Sequence, residues 1–243
     1  MERSFSKSGF SKIGIAIIAV LVVLFAGLLT WSLSNKKANE VDYSKYDFNS
    51  YIGASEDNGN IADHVKGSKD APVLIFEYAD YQCPGCATVN PRVNKLVEEY
   101  DGKVGVVYRN FLLSYHKNGT AAASAAEAAG LQGYWKEYAD KLFANQSTWE
   151  YASADERTDL FVDLFEDVTD GKGDVEKFKS DMASKEVAKK IDFDMGIGKK
   201  IEIPGTPALY LDGEWLDFSE ANTEEKFLNF MRERIDAKLK SQS

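Results

Sequence analysis

The sequence predicts an α/β domain interrupted by a helical insertion and preceded by one N-terminal transmembrane helix. Three observations carry this. Ile13 to Leu33 contains no charged residue. Val73-Leu-Ile-Phe-Glu-Tyr78 is a near-continuous apolar run, the pattern of a strand buried on both faces. It leads into Asp80-Tyr-Gln-Cys-Pro-Gly-Cys86, which holds both cysteines of the 243-residue chain. Finally, about 80 residues of helical pattern separate a second strand-like run from a hairpin signal near the C-terminus.

The elements follow in order. At about 1.5 Å per residue, residues 13–33 match the roughly 30 Å hydrocarbon core of a bilayer. Arg3, Lys7 and Lys12 precede this stretch, so residues 1–12 are expected in the cytoplasm and the rest of the chain outside. A cleaved signal peptide is the rival reading. Such peptides have shorter apolar regions, and Ser32-x-Ser34 is a weak cleavage site, so an uncleaved signal anchor fits better. Either outcome exports the domain. No cysteine ends the apolar run to carry a lipid. Residues 34–60 are polar, lack helical periodicity and read as a mostly disordered tether. Residues 61–241 suffice for one well-cored domain.

Within that domain, helical sequence follows the cysteines to Tyr100, and Lys103 to Phe111 reads as a second strand. The helical insertion spans about 118–200. It opens with alanine-rich Ala121 to Leu131 and continues through aromatic and charged Tyr134 to Asn145. Leu160, Phe161, Leu164, Phe165 and Val168 recur at helical spacing, and Ser153-x-x-Glu156 is a capping box ahead of them. Ala208 to Leu211 and Trp215 to Phe218 flank Asp212-Gly213 as a hairpin. Phe227, Met231, Ile235 and Leu239 mark a closing helix. The net charge of −10 argues against a nucleic-acid partner.

The cysteine pair admits three chemistries. A zinc site needs about four ligands. Beyond Cys83 and Cys86 the chain offers only His64 and His116, in no second ligand pair, so no metal site is expected. A structural disulfide across two residues closes too small a loop to remove much unfolded-state entropy. Redox exchange is the remaining chemistry, and the local sequence suits it. Cys83 stands where strand becomes helix, so unpaired backbone N–H groups and the helix dipole favour its thiolate, the nucleophile. Cys86, one turn on, is placed to resolve a mixed disulfide. Pro84 presets φ for the first turn and removes a donor that would be unpaired. Gly85 brings a backbone N–H but no cation. Pro91 is expected to kink the helix.

The order strand, helix, strand, helical block, hairpin, helix is that of a thioredoxin-like core with an inserted helical domain. At the level of motifs the chain resembles the DsbA-like family of extracytoplasmic thiol:disulfide oxidoreductases, in particular its membrane-tethered DsbA/BdbD type. The resemblance covers residues 61–241. It rests on His64-Val-Lys-Gly67, Phe76-Glu-Tyr-Ala-Asp-Tyr-Gln-Cys-Pro-Gly-Cys86, Ala125-Ala-Glu-Ala-Ala129, Leu142-Phe143-Ala-Asn-Gln146 and Ile203-Pro-Gly-Thr-Pro-Ala208.

The resemblance implies further roles. Glu77 matches a partly buried acidic residue that would take the proton of Cys86. Asp80 reads as a turn or cap residue. Pro207 matches the family's cis-proline, and Thr206 would offer its backbone to an extended substrate. The implied activity is an oxidase that donates the Cys83–Cys86 disulfide, with no other cofactor, to unfolded exported proteins. A membrane quinone-linked partner of DsbB or VKOR type would reoxidise it. A reductase or isomerase-like role in the same compartment is the alternative, as is a tethered chaperone without turnover. Residues 34–60 are too short and polar to be a dimerisation domain, so a monomer is expected. Strongly oxidising relatives carry a histidine between the cysteines, and residues 73–91 hold no Lys or Arg to replace it. The Cys83 pKa is therefore expected below the free value of about 8.5 but above the roughly 3.5 of DsbA. The potential should lie between about −120 and −270 mV.

Overall fold

The computed structural model describes residues 12–38 and 41–242, with the side chains of the first helix described over residues 17–31. The chain divides after Asp42 into two units. The first contains helix α1, Lys12–Ala38. Its described apolar side chains, from Ile17 to Trp31, are all exposed. Among the described residues no helix is long and apolar enough to cross a membrane. Of the expected cytoplasmic segment, residues 1–11 lie outside the described residues.

The second unit is built on a five-stranded mixed sheet. Its strands are β1 (His64–Gly67), β2 (Val73–Ala79), β3 (Val104–Asn110), β4 (Ala208–Leu211) and β5 (Glu214–Trp215), in the spatial order β1-β3-β2-β4-β5. Only β2 and β3 run parallel, and helix α2 (Pro84–Glu99) crosses between them. The three other pairings are antiparallel. β2 and β3 are buried along almost their whole length, as their continuous apolar runs require. The β4–β5 turn places Asp212 at φ 53° and Gly213 at φ 79°, the left-handed pair that a two-residue hairpin demands. The second arm is shorter than expected, because pairing ends at Trp215. Against one face of the sheet pack α2 and the closing helix α9 (Glu224–Ser241), with Val89, Val93, Phe227, Met231 and Ile235 over Val73, Ile75 and Val106.

Six helices intervene between β3 and β4: α3 (Gly119–Gly130), α4 (Trp135–Ala144), α5 (Gln146–Trp149), α6 (Ala154–Thr169), α7 (Val175–Met182) and α8 (Lys185–Lys200). Alanines along α3 let neighbouring helices approach closely, and Tyr138, Phe161, Phe165 and Phe178 fill the space between them. Phe165 stacks on Phe178 at 4.2 Å. Ser153 and Glu156 form the expected capping box at the start of α6.

Part of the expected tether is not a tether. Residues 43–60 lie in the second unit and contain two short 3₁₀ turns, Tyr43–Lys45 and Glu56–Asn58. Tyr43 and Tyr46 rest on Phe193 of α8 at 5.7 and 4.9 Å, and Ile52 is buried. The guanidinium of Arg109 donates to the carbonyls of Phe48 and Ser50 at 2.8 and 2.9 Å. This order comes from single aromatics and from main-chain acceptors, neither of which leaves a periodic signature.

Beneath this segment lies a buried set of charges. Asp63 Oδ2 accepts from Arg109 at 2.8 Å, and Asp63 Oδ1 accepts from Lys190 at 3.1 Å. Lys190 also reaches Asp194 at 2.8 Å. Burial alone would raise the pKa of Asp63, but Lys190 and Arg109 overcome it and hold the carboxylate below its ordinary value. Removing one partner of such a cluster strands the others in a medium that cannot solvate them. Asp63→Asn should therefore destabilise the domain by about 3–5 kcal/mol, measured by urea unfolding of the full chain at neutral pH. A loss below about 1 kcal/mol, the range of an exposed pair, would show that the cluster is solvated.

Candidate active site

β2 ends at Ala79, and the next three residues carry the chain to Cys83. Each of them is held by the helical insertion or by the loop that enters it. Asp80 Oδ1 accepts from the N–H of Gln82 at 2.9 Å, which closes a local turn, and its main-chain carbonyl accepts from Cys83 N at 3.0 Å. Its second oxygen accepts from Leu113 N at 2.9 Å and lies 2.8 Å from Nδ1 of His116. Tyr81 accepts from Gln146 at its carbonyl (2.7 Å) and from Trp135 at its hydroxyl (3.2 Å). Gln82 accepts from Asn118 N at 2.7 Å and donates to the carbonyl of Glu150 at 2.6 Å. Asp80 is thus the expected turn residue and more: a buried post joining the sheet to the insertion. The sequence assigned nothing to Gln82, and it gave His116 only as a possible ligand. Both are recognisable only once the insertion is folded back on the turn.

Cys83 is the N-cap of α2 and Pro84 its first residue. The Thr206–Pro207 bond is cis, as the resemblance implied. A Cβ on Gly85 would lie 2.9 Å from Pro207 Cδ, so the turn between the cysteines needs a residue without a side chain to approach this loop. Cys83 Sγ lies 3.3 Å from the carbonyl of Thr206. Cys83 retains 7% exposure and Cys86 none, so only the first sulfur can be reached from outside.

The electrostatics divide the pair. The Cys83 pKa falls to about 5. The largest cause is the hydrogen bond from the Cys86 thiol; burial opposes it; the Thr206 hydroxyl and the N–H groups of Cys86 and Gly85 add to it. The carbonyl of Thr206 can only accept from the protonated thiol. Its hydroxyl is buried without a hydrogen-bond partner and is free to donate to the thiolate. Cys86 moves the other way, well above its ordinary value, because burial and then the adjacent Cys83 penalise its charge. The expected range for Cys83 holds, and the expected backbone donors contribute. The leading contributor is the partner sulfur itself.

Glu77 sits on β2 at 1% exposure, more deeply than expected. Neither carboxyl oxygen has a hydrogen-bond partner. Burial raises its pKa, Lys66 lowers it and Asp140 raises it again. Its charge adds to the rise at Cys86, which places the two groups within electrostatic reach. Lys66 is itself buried and is held by Asn90, Asn94 and Asp140. The two histidines are committed elsewhere, His64 to Glu127 at 2.7 Å and His116 to Asp80. Among the described residues no group of three His, Cys, Asp or Glu is placed to hold a metal ion.

A family model for thioredoxin matches residues 59–233. The chain belongs to the thioredoxin family. It is 30% identical over 204 residues to a probable disulfide bond formation protein D of Bacillus anthracis, covering 81% of this chain and 84% of that protein. A protein of the same description from Bacillus cereus is 29% identical, with 92% and 93% covered. An Na(+)/H(+) antiporter, NhaA 3 of Salinispora tropica, is 31% identical over 216 residues, which are 84% of this chain but 30% of the antiporter. The chain thus spans less than a third of the length of that relative. Among solved structures, BdbD from Bacillus subtilis aligns with a TM-score of 0.60 and 23% identity, covering 80% of this chain and all of that one. α-DsbA1 of Wolbachia pipientis aligns at 0.58 and 21%, covering 74% and 94%. At these identities the structural likenesses concern the fold, and the fold is the thioredoxin-like core with inserted helices expected from the DsbA-like motifs.

The acidity of Cys83 can be tested directly. Thiolate absorbance of the reduced full chain should titrate with a midpoint of about 5. Thr206→Val removes the hydroxyl and keeps the shape, so the midpoint should rise and the potential become more reducing. An unchanged midpoint would remove the hydroxyl from the account.

Proposed function

We propose that this chain is an extracytoplasmic oxidase that introduces disulfides into exported polypeptides through the Cys83-Pro84-Gly85-Cys86 turn. One observation carries the reading: two sulfurs one helical turn apart have acidities driven in opposite directions. An easily ionised thiol that keeps a small accessible area, beside a fully buried and reluctant one, is the arrangement that dithiol–disulfide exchange requires.

The steps follow from that asymmetry. A substrate thiolate attacks Cys83 Sγ of the Cys83–Cys86 disulfide. A bond forms between substrate sulfur and Cys83, and Cys86 leaves with the electron pair. Because burial disfavours the Cys86 thiolate, it takes up a proton, and Glu77, whose own pKa is raised, is the nearby buried acid to supply it. A second substrate thiolate then attacks the mixed disulfide and expels Cys83, which departs readily as a stabilised thiolate. The substrate has lost two electrons and two protons, and the pair has gained the electrons. Stabilising the thiolate stabilises the reduced form, which makes the pair an oxidant. Thr206 and Pro207, facing Cys83, would line the substrate's path, with the Thr206 backbone open to strand-like pairing.

The location belongs to the same proposal. The uncharged stretch 13–33 serves as an uncleaved signal anchor, which leaves residues from about 43 onward outside the cytoplasm. What supports it is the sequence: its length, its lack of charge and the basic residues before it. Reoxidation would then fall to a membrane quinone-linked protein of DsbB or VKOR type, and the catalytic unit would act as a monomer.

Oxidation of a reduced, unfolded test protein by the full chain is the deciding measurement. Loss of substrate thiols at one disulfide per catalyst is expected. With a disulfide-bonded test protein in its place, the Cys83 thiolate of Cys86→Ser should attack the substrate disulfide, expel one substrate thiolate and accumulate as a mixed disulfide, while Cys83→Ser accumulates none. Equal trapping by the two variants would reverse or abolish the assigned roles, and reduction of a disulfide-bonded test protein in preference to oxidation would favour the reductase alternative.

A further inference from the structure

Four large apolar side chains stand exposed among the described residues of the catalytic unit: Tyr115 at 72%, Leu131 at 40%, Tyr151 at 88% and Trp215 at 49%. The two most exposed line one cleft. It has a volume of about 410 Å³, and its wall begins at Gln82, the residue before Cys83. Isolated exposed aromatics need no explanation. Two at one cleft beside the reactive sulfur do, since tyrosine offers a large, stiff contact area and recurs at protein-recognition sites.

The cleft is built. Tyr115 stands on the loop between β3 and α3, and Tyr151 on the loop between α5 and α6. Gln82 binds both loops, accepting from Asn118 N at 2.7 Å and donating to Glu150 O at 2.6 Å. Asn118 fixes the second loop again, donating to the carbonyls of Trp149 and Ala152 at 2.9 and 3.0 Å, and its own side-chain oxygen accepts from Arg157 at 2.5 Å. The tyrosines are therefore held out by a pinned framework, so docking against them loses little conformational freedom. That framework is fastened to the turn that carries Cys83.

We propose that this cleft docks the polypeptide substrate itself, receiving a bulky apolar side chain a few residues from the cysteine that exchanges with Cys83. The inference rests on the oxidase reading and names the substrate feature which that reading leaves open. Reach supports it. Gln82 lines the cleft and is bonded directly to Cys83. A substrate disulfide-bonded to Cys83 thus lays its neighbouring residues at the cleft. Charge refines the occupant. Lys117 and Arg157 bring two cations to the wall against the carboxylate of Glu150, so a neighbouring acidic residue is favoured over a basic one.

The test measures second-order rate constants for the oxidised full chain reacting with three reduced probes. One is a two-cysteine peptide with flanking phenylalanine, one the same peptide with glycine in place of phenylalanine, and one glutathione. The wild-type chain should oxidise the phenylalanine peptide at least tenfold faster than the glycine peptide. The double variant Tyr115→Ser, Tyr151→Ser should lose that preference, with glutathione, too small to span the cleft, changing less than twofold. No preference in the wild type, or a preference kept by the double variant, overturns the inference. So does an equal loss with glutathione, which would place the tyrosines' effect on the cysteine pair. A wild-type dimer that the double variant abolishes would give the cleft to a second copy of the chain. Normal peptide oxidation with slowed reoxidation by membranes would give it to the reoxidising partner. Failure of the wild type to exchange with glutathione at all would instead overturn the oxidase reading.

Discussion

The carboxylate of Asp63 is the point on which the catalytic unit closes. One oxygen faces Arg109 of β3 and also accepts from Ile52 N at 3.0 Å, and the other faces Lys190 of α8. Sheet, helical insertion and the segment before β1 therefore meet on one ionised group. From Lys190 the contacts run to Asp194, which accepts from both the main chain and the side chain of Asn110 at 3.1 and 3.0 Å. Asn110 is the last residue of β3, and the loop beyond it supplies Leu113, His116 and Asn118 to the turn before Cys83. The reactive turn is held at the far end of a chain of buried polar contacts that begins at Asp63. The two carboxylates on Lys190 respond to pH with opposite signs. Asp63 is held below its ordinary pKa, so its contribution is present above the unfolded value and is lost as pH falls through the folded one. Asp194 is pushed up to about 6, chiefly by burial, so its contribution is lost as pH rises through that region.

The chemistry of the cysteines depends on a different economy of position. Both sulfurs belong to the same four residues, yet one helix start gives them unlike surroundings. Cys83, as N-cap, faces the N–H groups of Gly85 and Cys86 that the helix leaves unpaired. Cys86, three residues on, is turned inward over Glu77 and loses contact with water altogether. The hydrogen bond between them couples the two effects: Cys86 stabilises the Cys83 thiolate by remaining a thiol, and the thiolate in turn keeps Cys86 protonated. A histidine between the cysteines is one way to hold a thiolate. Here the partner thiol and the hydroxyl of Thr206 supply that hold without a cation.

How much of this the sequence disclosed depends on the range of the interaction. The strands β2 and β3, the capping box at Ser153 and the Asp212-Gly213 turn were legible because each is decided by residues near one another in the chain. Cys83 and Cys86 were legible for the same reason. The edge strand β1 was seen only as a motif, since four residues of mixed polarity carry no period. The order of residues 43–60 was missed because it rests on Phe193 and Arg109, far along the chain. Glu77 was placed by resemblance, but its isolation from any hydrogen-bond partner is a property of the folded interior. Gln82 is the sharpest case: adjacent to the nucleophile in sequence, it takes its meaning from Asn118 and Glu150.

That last case bears on why a thioredoxin-like core should carry six inserted helices at all. The core alone can present an acidic cysteine: a strand, a helix start and the Thr206–Pro207 loop suffice, and Gly85 lets that loop approach. It leaves the other side of Cys83 open to solvent. The insertion fills that side, and it does so by gripping the three residues before Cys83 through Gln146, Trp135, His116 and Asn118. A grip on the Tyr81 carbonyl and on the side chains of Asp80, Tyr81 and Gln82 fixes where Cys83 points without touching its sulfur. The same loops that make the grip hold Tyr115 and Tyr151 out toward solvent. Positioning the nucleophile and forming a surface beside it are thus two results of one set of hydrogen bonds.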